Sequence, residues 1–168
     1  YNRLSRKGYL ERDCQRLVNQ DRNIFAACMV ANGDADGMVT GSTRNYFVAY
    51  DDITKVIDPA PNSRIFGLSI LMFEGRTLFI ADTTVHYSPT SEELADIACQ
   101  TANVAKKLGH SPRVALLSFA NFGNPALKGT ERVHSAIEVL NTRKVDFEYD
   151  GEMTVDVALN QQLLSYYP

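Results

Sequence analysis

Arg113-Val114-Ala115-Leu116-Leu117-Ser118-Phe119-Ala120-Asn121-Phe122-Gly123 is the stretch whose reading decides the fold. Its first half is short and aliphatic, the composition of a strand buried on both faces. Its second half is small and polar, the kind of loop that exposes backbone N–H groups. In an open α/β sheet, ligands bind in the crevice beyond the carboxyl ends of such strands. This strand is therefore expected at the centre of the sheet, and the loop after it in a pocket.

Upstream, Thr90 with Glu93 fits a capping box, with Ser88-Pro89 as an equal contender for the helix start. The helix runs to about residue 108, with Leu94, Ile97, Ala98, Thr101, Ala105 and Leu108 along one face, and Gly109 stops it. Before it, residues 65–73 and 77–81 read as two strands joined by a hairpin turn at Glu74-Gly75-Arg76. Asp58-Pro59-Ala60-Pro61-Asn62 forms a loop. Residues 46–57 read as a helix, 35–40 as a short strand closed by Gly41, and 11–19 and 23–32 as helices. Residues 1–8 read as a frayed tail.

Downstream come a loop to Gly129, a helix over 130–141, a short strand over 147–149, a turn at Asp150-Gly151-Glu152 and a closing helix over 155–164. Helix and strand alternate, and the hairpin adds an antiparallel pair. The expected architecture is a three-layer α/β/α sandwich around a mixed, mainly parallel sheet.

The chain has 168 residues, 45% hydrophobic and 22% charged, enough for a compact domain with its own core. A net charge of -3 argues against nucleic acid or a membrane surface as a partner, since both want a basic excess. No apolar run approaches a membrane span and no signal segment opens the sequence, so a cytoplasmic location is expected. The start at Tyr1 and the stop at Pro168 read as cuts from a longer chain. Cys14, Cys28 and Cys99 each fall in a predicted helix without ligand-like spacing and read as free thiols in a reducing compartment.

Three predicted strands end in polar loops, and if they are parallel the loops meet on one sheet edge. Gly41-Ser42-Thr43-Arg44-Asn45 offers hydroxyls, N–H groups and a guanidinium to a phosphate or carboxylate; equally, it is a helix cap. Ser118, Asn121 and Gly123, between Phe119 and Phe122, could grip an acyl or pantetheine-like chain, or form a wide turn anchored by buried phenylalanines. Asp150 and Glu152 could place a base near a thiol, or belong to a turn before the last helix. His86, His110 and His134 have no metal-ligand spacing, and neither G-x-G-x-x-G nor a Walker loop occurs. The apolar helices over 23–32 and 94–108 suit a subunit interface or ordinary packing on the sheet.

Several stretches together resemble the phosphate acetyltransferase (phosphotransacetylase) family. They are Gly33-Asp34-Ala35-Asp36-Gly37-Met38-Val39-Thr40-Gly41, Ile80-Ala81-Asp82-Thr83, the helix start from Pro89, the strand from Arg113 to Phe119, and Asp150-Gly151-Glu152-Met153 with Asp156. The resemblance implies the isocitrate/isopropylmalate dehydrogenase-like α/β/α fold of those enzymes. Asn121-Phe122-Gly123 and Asp150-Gly151-Glu152-Met153 resemble more narrowly the C-terminal domain of bacterial NADP-dependent malic enzymes.

That narrower resemblance implies a non-catalytic regulatory and oligomer-forming domain. Its parent would decarboxylate malate to pyruvate with NADP and a divalent metal, Mg or Mn. Acetyl-CoA or another phosphate-bearing small molecule is the implied effector, and the malic enzyme catalytic half and further copies of the chain are the implied partners. The implied ligand-binding residues are Ser42, Thr43, Arg44, Asn45, Ser118, Asn121, Gly123, Asp150 and Glu152. Transferases of the family carry an arginine in the helix after the first loop, where this sequence has Asp51. The alternative implied by the family is an active acetyl- or butyryltransferase, with Arg44 taking over that charge.

Overall fold

Two prolines within three residues, Pro59 and Pro61, stop any helix from crossing that point. In the computed structural model, which describes residues 1–124 and 130–167, the chain divides there into two units, Tyr1–Ala60 and Pro61–Pro168.

The first unit is helical among the described residues: α1 (Asn2–Ser5), α2 (Glu11–Gln20), α3 (Arg22–Asn32) and α4 (Tyr46–Val56). Asp21 caps α3 by accepting from the amides of Asn23 and Ile24, and Gly33 closes it at φ 83°. Leu4, Cys14, Ile24, Ala27 and Val56 form its core. The opening residues are not the frayed tail that their sequence suggests. Leu4 is buried, and Arg3 and Lys7 donate to the carbonyls of Ala31 and Thr54.

Residues 35–40 form no strand. A strand needs a hydrogen-bonded neighbour, and the described part of this unit holds none. Val39 is accordingly fully exposed. The expectation of a first strand feeding the Ser42–Arg44 loop is corrected on this ground.

The second unit is α/β. Its elements are β1 (Leu68–Phe73), β2 (Arg76–Ala81), α5 (Ser91–Lys107), β3 (Arg113–Leu117), α6 (Glu131–Arg143), β4 (Glu148–Met153), α7 (Val155–Leu159) and α8 (Gln161–Leu164). The loop expected up to Gly129 lies, over residues 125–129, outside the described residues. Glu74 and Gly75, both at positive φ, make a two-residue hairpin that pairs β1 antiparallel with β2. Thr90 and Glu93 make the capping box at the start of α5. Ala95, Ala98, Leu116, Ala136 and Leu140 form the core between α5, α6 and β3. Leu108, expected on that face, is exposed.

Asp82 ties down the base of the hairpin. Its carboxylate accepts from four backbone amides: Gly67 at 2.7 Å, Thr84 at 3.1 Å, Val85 at 3.2 Å and His86 at 2.6 Å. Burial pushes this carboxyl up, but the four amides outweigh it and leave it below the ordinary aspartate range.

Three sequence expectations change here. Among the described residues the strands form two separate pairs, β1 with β2 and β3 with β4, rather than one continuous sheet. β3 is buried on one face only. Val114 and Leu116 turn toward the helices, while Arg113, Ala115 and Leu117 stay exposed. Finally, Asp150-Gly151-Glu152 is not a turn. It continues β4, which runs parallel to β3 with a bulge where Leu116 and Leu117 face Gly151 and Met153. Gly151 permits this because a Cβ there would stand 2.6 Å from the Leu116 carbonyl oxygen. The closing helix is broken at Asn160 into α7 and α8.

Candidate functional site

In the first unit, Ser42 and Thr43 are exposed on the bend before α4, and Asn45 caps that helix by accepting from the Phe47 amide at 2.9 Å. Arg44 is not free. Its Nη1 donates to Asp21 Oδ2 and, at 3.2 Å, to Asp52 Oδ2. Asp52, only 6% exposed, also accepts from Asn23 Nδ2 at 3.3 Å and pairs with Lys55 at 3.2 Å. Thr40 extends the chain of bonds by donating to Asn23 Oδ1 at 2.6 Å.

Asp51 points outward and pairs with Lys55 at 2.7 Å. The cluster therefore holds two cations, Arg44 and Lys55, against three carboxylates, Asp21, Asp51 and Asp52. Such a balance repels a phosphate rather than attracting it. The Asp21 hydrogen bond holds the Arg44 guanidinium above its ordinary range. Burial raises the Asp21 carboxyl, but Arg44 and the amides of Ile24 and Asn23 bring it below the usual value. Sequence reasoning missed Asn23 and Asp52. A signal existed: Ala49, Asp52 and Val56 share one helical stripe, so position 52 falls on the buried face of α4.

In the second unit the loop after β3 and the end of β4 do meet. Ser118 N–H donates to the Met153 carbonyl, Phe122 N–H to the Glu152 carbonyl, and Gly123 N–H to Glu152 Oε1 at 3.1 Å. Asn121 is the hub. Its Oδ1 accepts from Thr154 N at 2.7 Å and Thr154 Oγ1 at 3.0 Å, while its Nδ2 donates to Tyr167 Oη at 3.3 Å. Glu152 is 3% exposed, and its second oxygen has no hydrogen-bond partner among the described residues. Asp150 is exposed and accepts from the next amide, that of Gly151.

The wide turn is held by Asn121 and buried Ala120, not by buried phenylalanines. Phe119 is 61% exposed, and Phe122 leans on the Tyr167 ring. Ser118, Asn121, Gly123 and Glu152 are thus brought together, while Asp150 is exposed and bonds only the Gly151 amide among the described residues. Thr154 and Tyr167 complete the group. Sequence reasoning missed both: Thr154 bonds Asn121 from 33 residues away and Tyr167 from 46, contacts that no local pattern marks.

His86 bonds the Ile65 carbonyl, and His110 packs edge-on to Phe79. Among the described residues no group of three or more His, Cys, Asp or Glu is arranged to hold a metal ion. No described helix is long and apolar enough to cross a membrane.

A sequence profile of the phosphate acetyl/butaryl transferase family matches residues 1–166. The chain is 59% identical over its whole length to the NADP-dependent malic enzyme of Rhizobium meliloti (strain 1021), of which it spans 22%. It is 32% identical over 172 aligned residues to the phosphate acetyltransferase of Clostridium acetobutylicum, with 97% of this chain and 51% of that one aligned. A solved phosphotransacetylase from Streptococcus pyogenes superposes with a TM-score of 0.75 at 29% identity, over 85% of this chain and 44% of that one.

Proposed function

This chain belongs to the phosphate acetyl/butaryl transferase family, and on that premise we propose that it is the phosphotransacetylase-like regulatory domain of a cytoplasmic NADP-dependent malic enzyme. It binds acetyl-CoA or a related phosphate-bearing effector and holds subunits together, without transferring an acyl group. NADP, a divalent metal and the malate-decarboxylating chemistry belong to the rest of the parent polypeptide.

The observation that carries this reading is the pairing of Arg44 with Asp21 and Asp52. Acyl transfer between phosphate and a thiol needs positive charge aimed at the phosphate. Arg44, the cation of the loop before α4, is already neutralised, and β4 contributes the carboxylate of Glu152 beside the loop in the second unit. What remains suits binding. The exposed Phe119 ring is an apolar wall for a pantetheine-like chain, beside the Ser118 hydroxyl.

The test is an acetyl-CoA titration of NADP-dependent malate oxidation in the longest natural polypeptide that carries these residues. Acetyl-CoA is expected to shift the rate, and Phe119→Ser with Ser118→Ala to blunt that shift. Coenzyme A-dependent release of phosphate from acetyl phosphate would overturn the non-catalytic reading. An acetyl-CoA response untouched by the double substitution would remove the loop from it. The likeness to a phosphate acetyltransferase over nearly the whole chain favours a second reading, an active transferase with Arg44 on the phosphate. It requires Arg44 to leave both carboxylates.

A further inference from the structure

We propose that Cys14 and Cys28 are a redox pair, which a hydroperoxide joins into a reversible disulfide that clamps α2 to α3. Both belong to the first unit, whereas Cys99 is in the second. All three are free thiols in the structure. Cys14 and Cys28 lie seven residues before and seven residues after Asp21, the single residue between the two helices.

Their placement follows from how these helices pack. The residues that enter the core are Cys14, Leu17 and Val18 on α2, and Ile24, Ala27, Cys28 and Ala31 on α3. Spacings of three and four put each set on one face of its helix, and the two faces share one core. Positions equally far from the corner stand at equal heights, about 10 Å along each helix for both thiols. Ala27, small and fully buried, lets α3 come close at this level. Axes of packed helices stand about 8–10 Å apart, with Cα atoms about 2.3 Å off axis, so facing Cα atoms fall inside the disulfide limit of about 7 Å. Both side chains also border one cavity, together with Leu4, Val18 and Val56.

Exposure assigns the order of events. Cys28 is half-buried and Cys14 only 4% exposed, so the hydroperoxide meets Cys28 first. The Cys28 sulfur takes one oxygen, the peroxide O–O bond breaks, and an alcohol or water leaves. The Cys14 thiol then attacks that sulfur. The S–S bond forms, the S–O bond breaks, and the hydroxyl leaves as water with the Cys14 proton. Two thiols are oxidised by two electrons, and one hydroperoxide is reduced. Burial pushes the Cys28 thiol up; the Arg3 guanidinium opposes the rise, and neighbouring Cys14 adds to it. The thiolate share is therefore small, and the pair answers sustained oxidant rather than a brief pulse. An added thiol reverses the bond by exchange.

The clamp acts on the corner between the helices. Asp21 caps α3 and holds Arg44, so a bond across positions 14 and 28 fixes both helices around the residue that anchors the loop before α4. Transient disulfides of this kind are the redox-sensing sort found in reducing compartments. A zinc site fits less well, because among the described residues no third ligand group joins the two thiols.

The test treats the longest natural polypeptide that carries these residues with hydrogen peroxide, then alkylates it and maps its peptides. The peptides of Cys14 and Cys28 should be joined within one chain, Cys99 should remain open to alkylation, and dithiothreitol should restore both thiols. Amides of α2 and α3 should exchange more slowly in the oxidised protein, by up to roughly a hundredfold, the loop-closure effect for about fifteen residues. Amides of β1 and β2 should not change. Cys14→Ala should strand the oxygen on Cys28, where dimedone traps it, whereas Cys28→Ala should leave Cys14 unreacted. Absence of the joined Cys14–Cys28 peptide after prolonged oxidation of the unmodified protein overturns the proposal. So does linkage of either thiol to Cys99 or to another chain, or dimedone trapping at Cys14.

Discussion

Asp52 and Glu152 are both buried carboxylates, one in each unit, and the two units treat them in opposite ways. Asp52 meets a guanidinium, an ammonium and an amide, so both of its oxygens are used. Among the described residues, Glu152 meets a single backbone amide through one oxygen and leaves the other unpaired. A buried charge that is fully paired is a structural joint, since removing it strands its partners. A buried charge with spare capacity is a cost to the fold, and such costs collect where a protein binds something. The comparison therefore assigns stability to the Arg44 cluster and agrees with the binding role proposed above for the Asn121 loop. Reading Ser42, Thr43 and Arg44 as a phosphate cradle would reverse that assignment.

The contrast can be broken most directly at Asp52. Asp52→Ala should destabilise the first unit by about 3 kcal/mol, the scale for leaving buried partners unpaired, as read by chemical denaturation. A loss below about 1 kcal/mol would mean that Asp21 and Asp51 hold the cations unaided. Next in size is Asn121→Ala. It removes three side-chain hydrogen bonds, to Thr154 and Tyr167, and should cost about 2 kcal/mol. It should also free the loop, seen as faster exchange at the Phe122 and Gly123 amides.

Acid sharpens the comparison in a different way. Asp21 and Asp82 both have carboxyls held below their ordinary values. The stability they lend is therefore complete above the unfolded aspartate value of about 4 and is lost as pH falls below it. Melts from pH 7 downward should stay level to about pH 4 and then fall, and Asp82→Asn should flatten that fall in the second unit. The smallest effect belongs to Glu152→Gln. Neutralising a carboxylate with an unused oxygen should raise stability by about 0.5 kcal/mol at neutral pH. A loss beyond about 1 kcal/mol would give the second oxygen a partner and erase the contrast with Asp52.

Local signals were legible in the sequence and long-range ones were not. The Thr90–Glu93 capping box, the Glu74-Gly75 hairpin and the Gly109 helix stop depend on neighbours within a few residues, and all three stand in the structure. The strand expected over residues 35–40 failed because alternation describes a strand's faces but not whether a partner lies beside it. Asp150-Gly151-Glu152 looked like a turn because acidic residues around a glycine usually are one. Pairing with β3 overrides that preference.

Of the candidate residues, Ser118, Asn121, Gly123 and Glu152 came together because β3 and β4 are parallel and adjacent, as the loop argument required. The capture of Arg44 by Asp21 and Asp52 depends on contacts 23 and 8 residues away, which no motif announces. Asp82, anchoring four amides, was visible only as one letter of a family resemblance.

Gly151 has a consequence for anyone who would dissect this domain genetically. At φ 148°, with the Leu116 carbonyl oxygen 2.6 Å from where a methyl group would stand, even alanine forces the two parallel strands apart. The junction it guards also carries the backbone bonds of Ser118 and Phe122. An allele at this codon would thus lose the proposed effector response and folding in the same stroke, and its phenotype would say nothing about either alone. The side chains of Ser118 and Phe119, which the strand junction does not use, are where the two traits come apart.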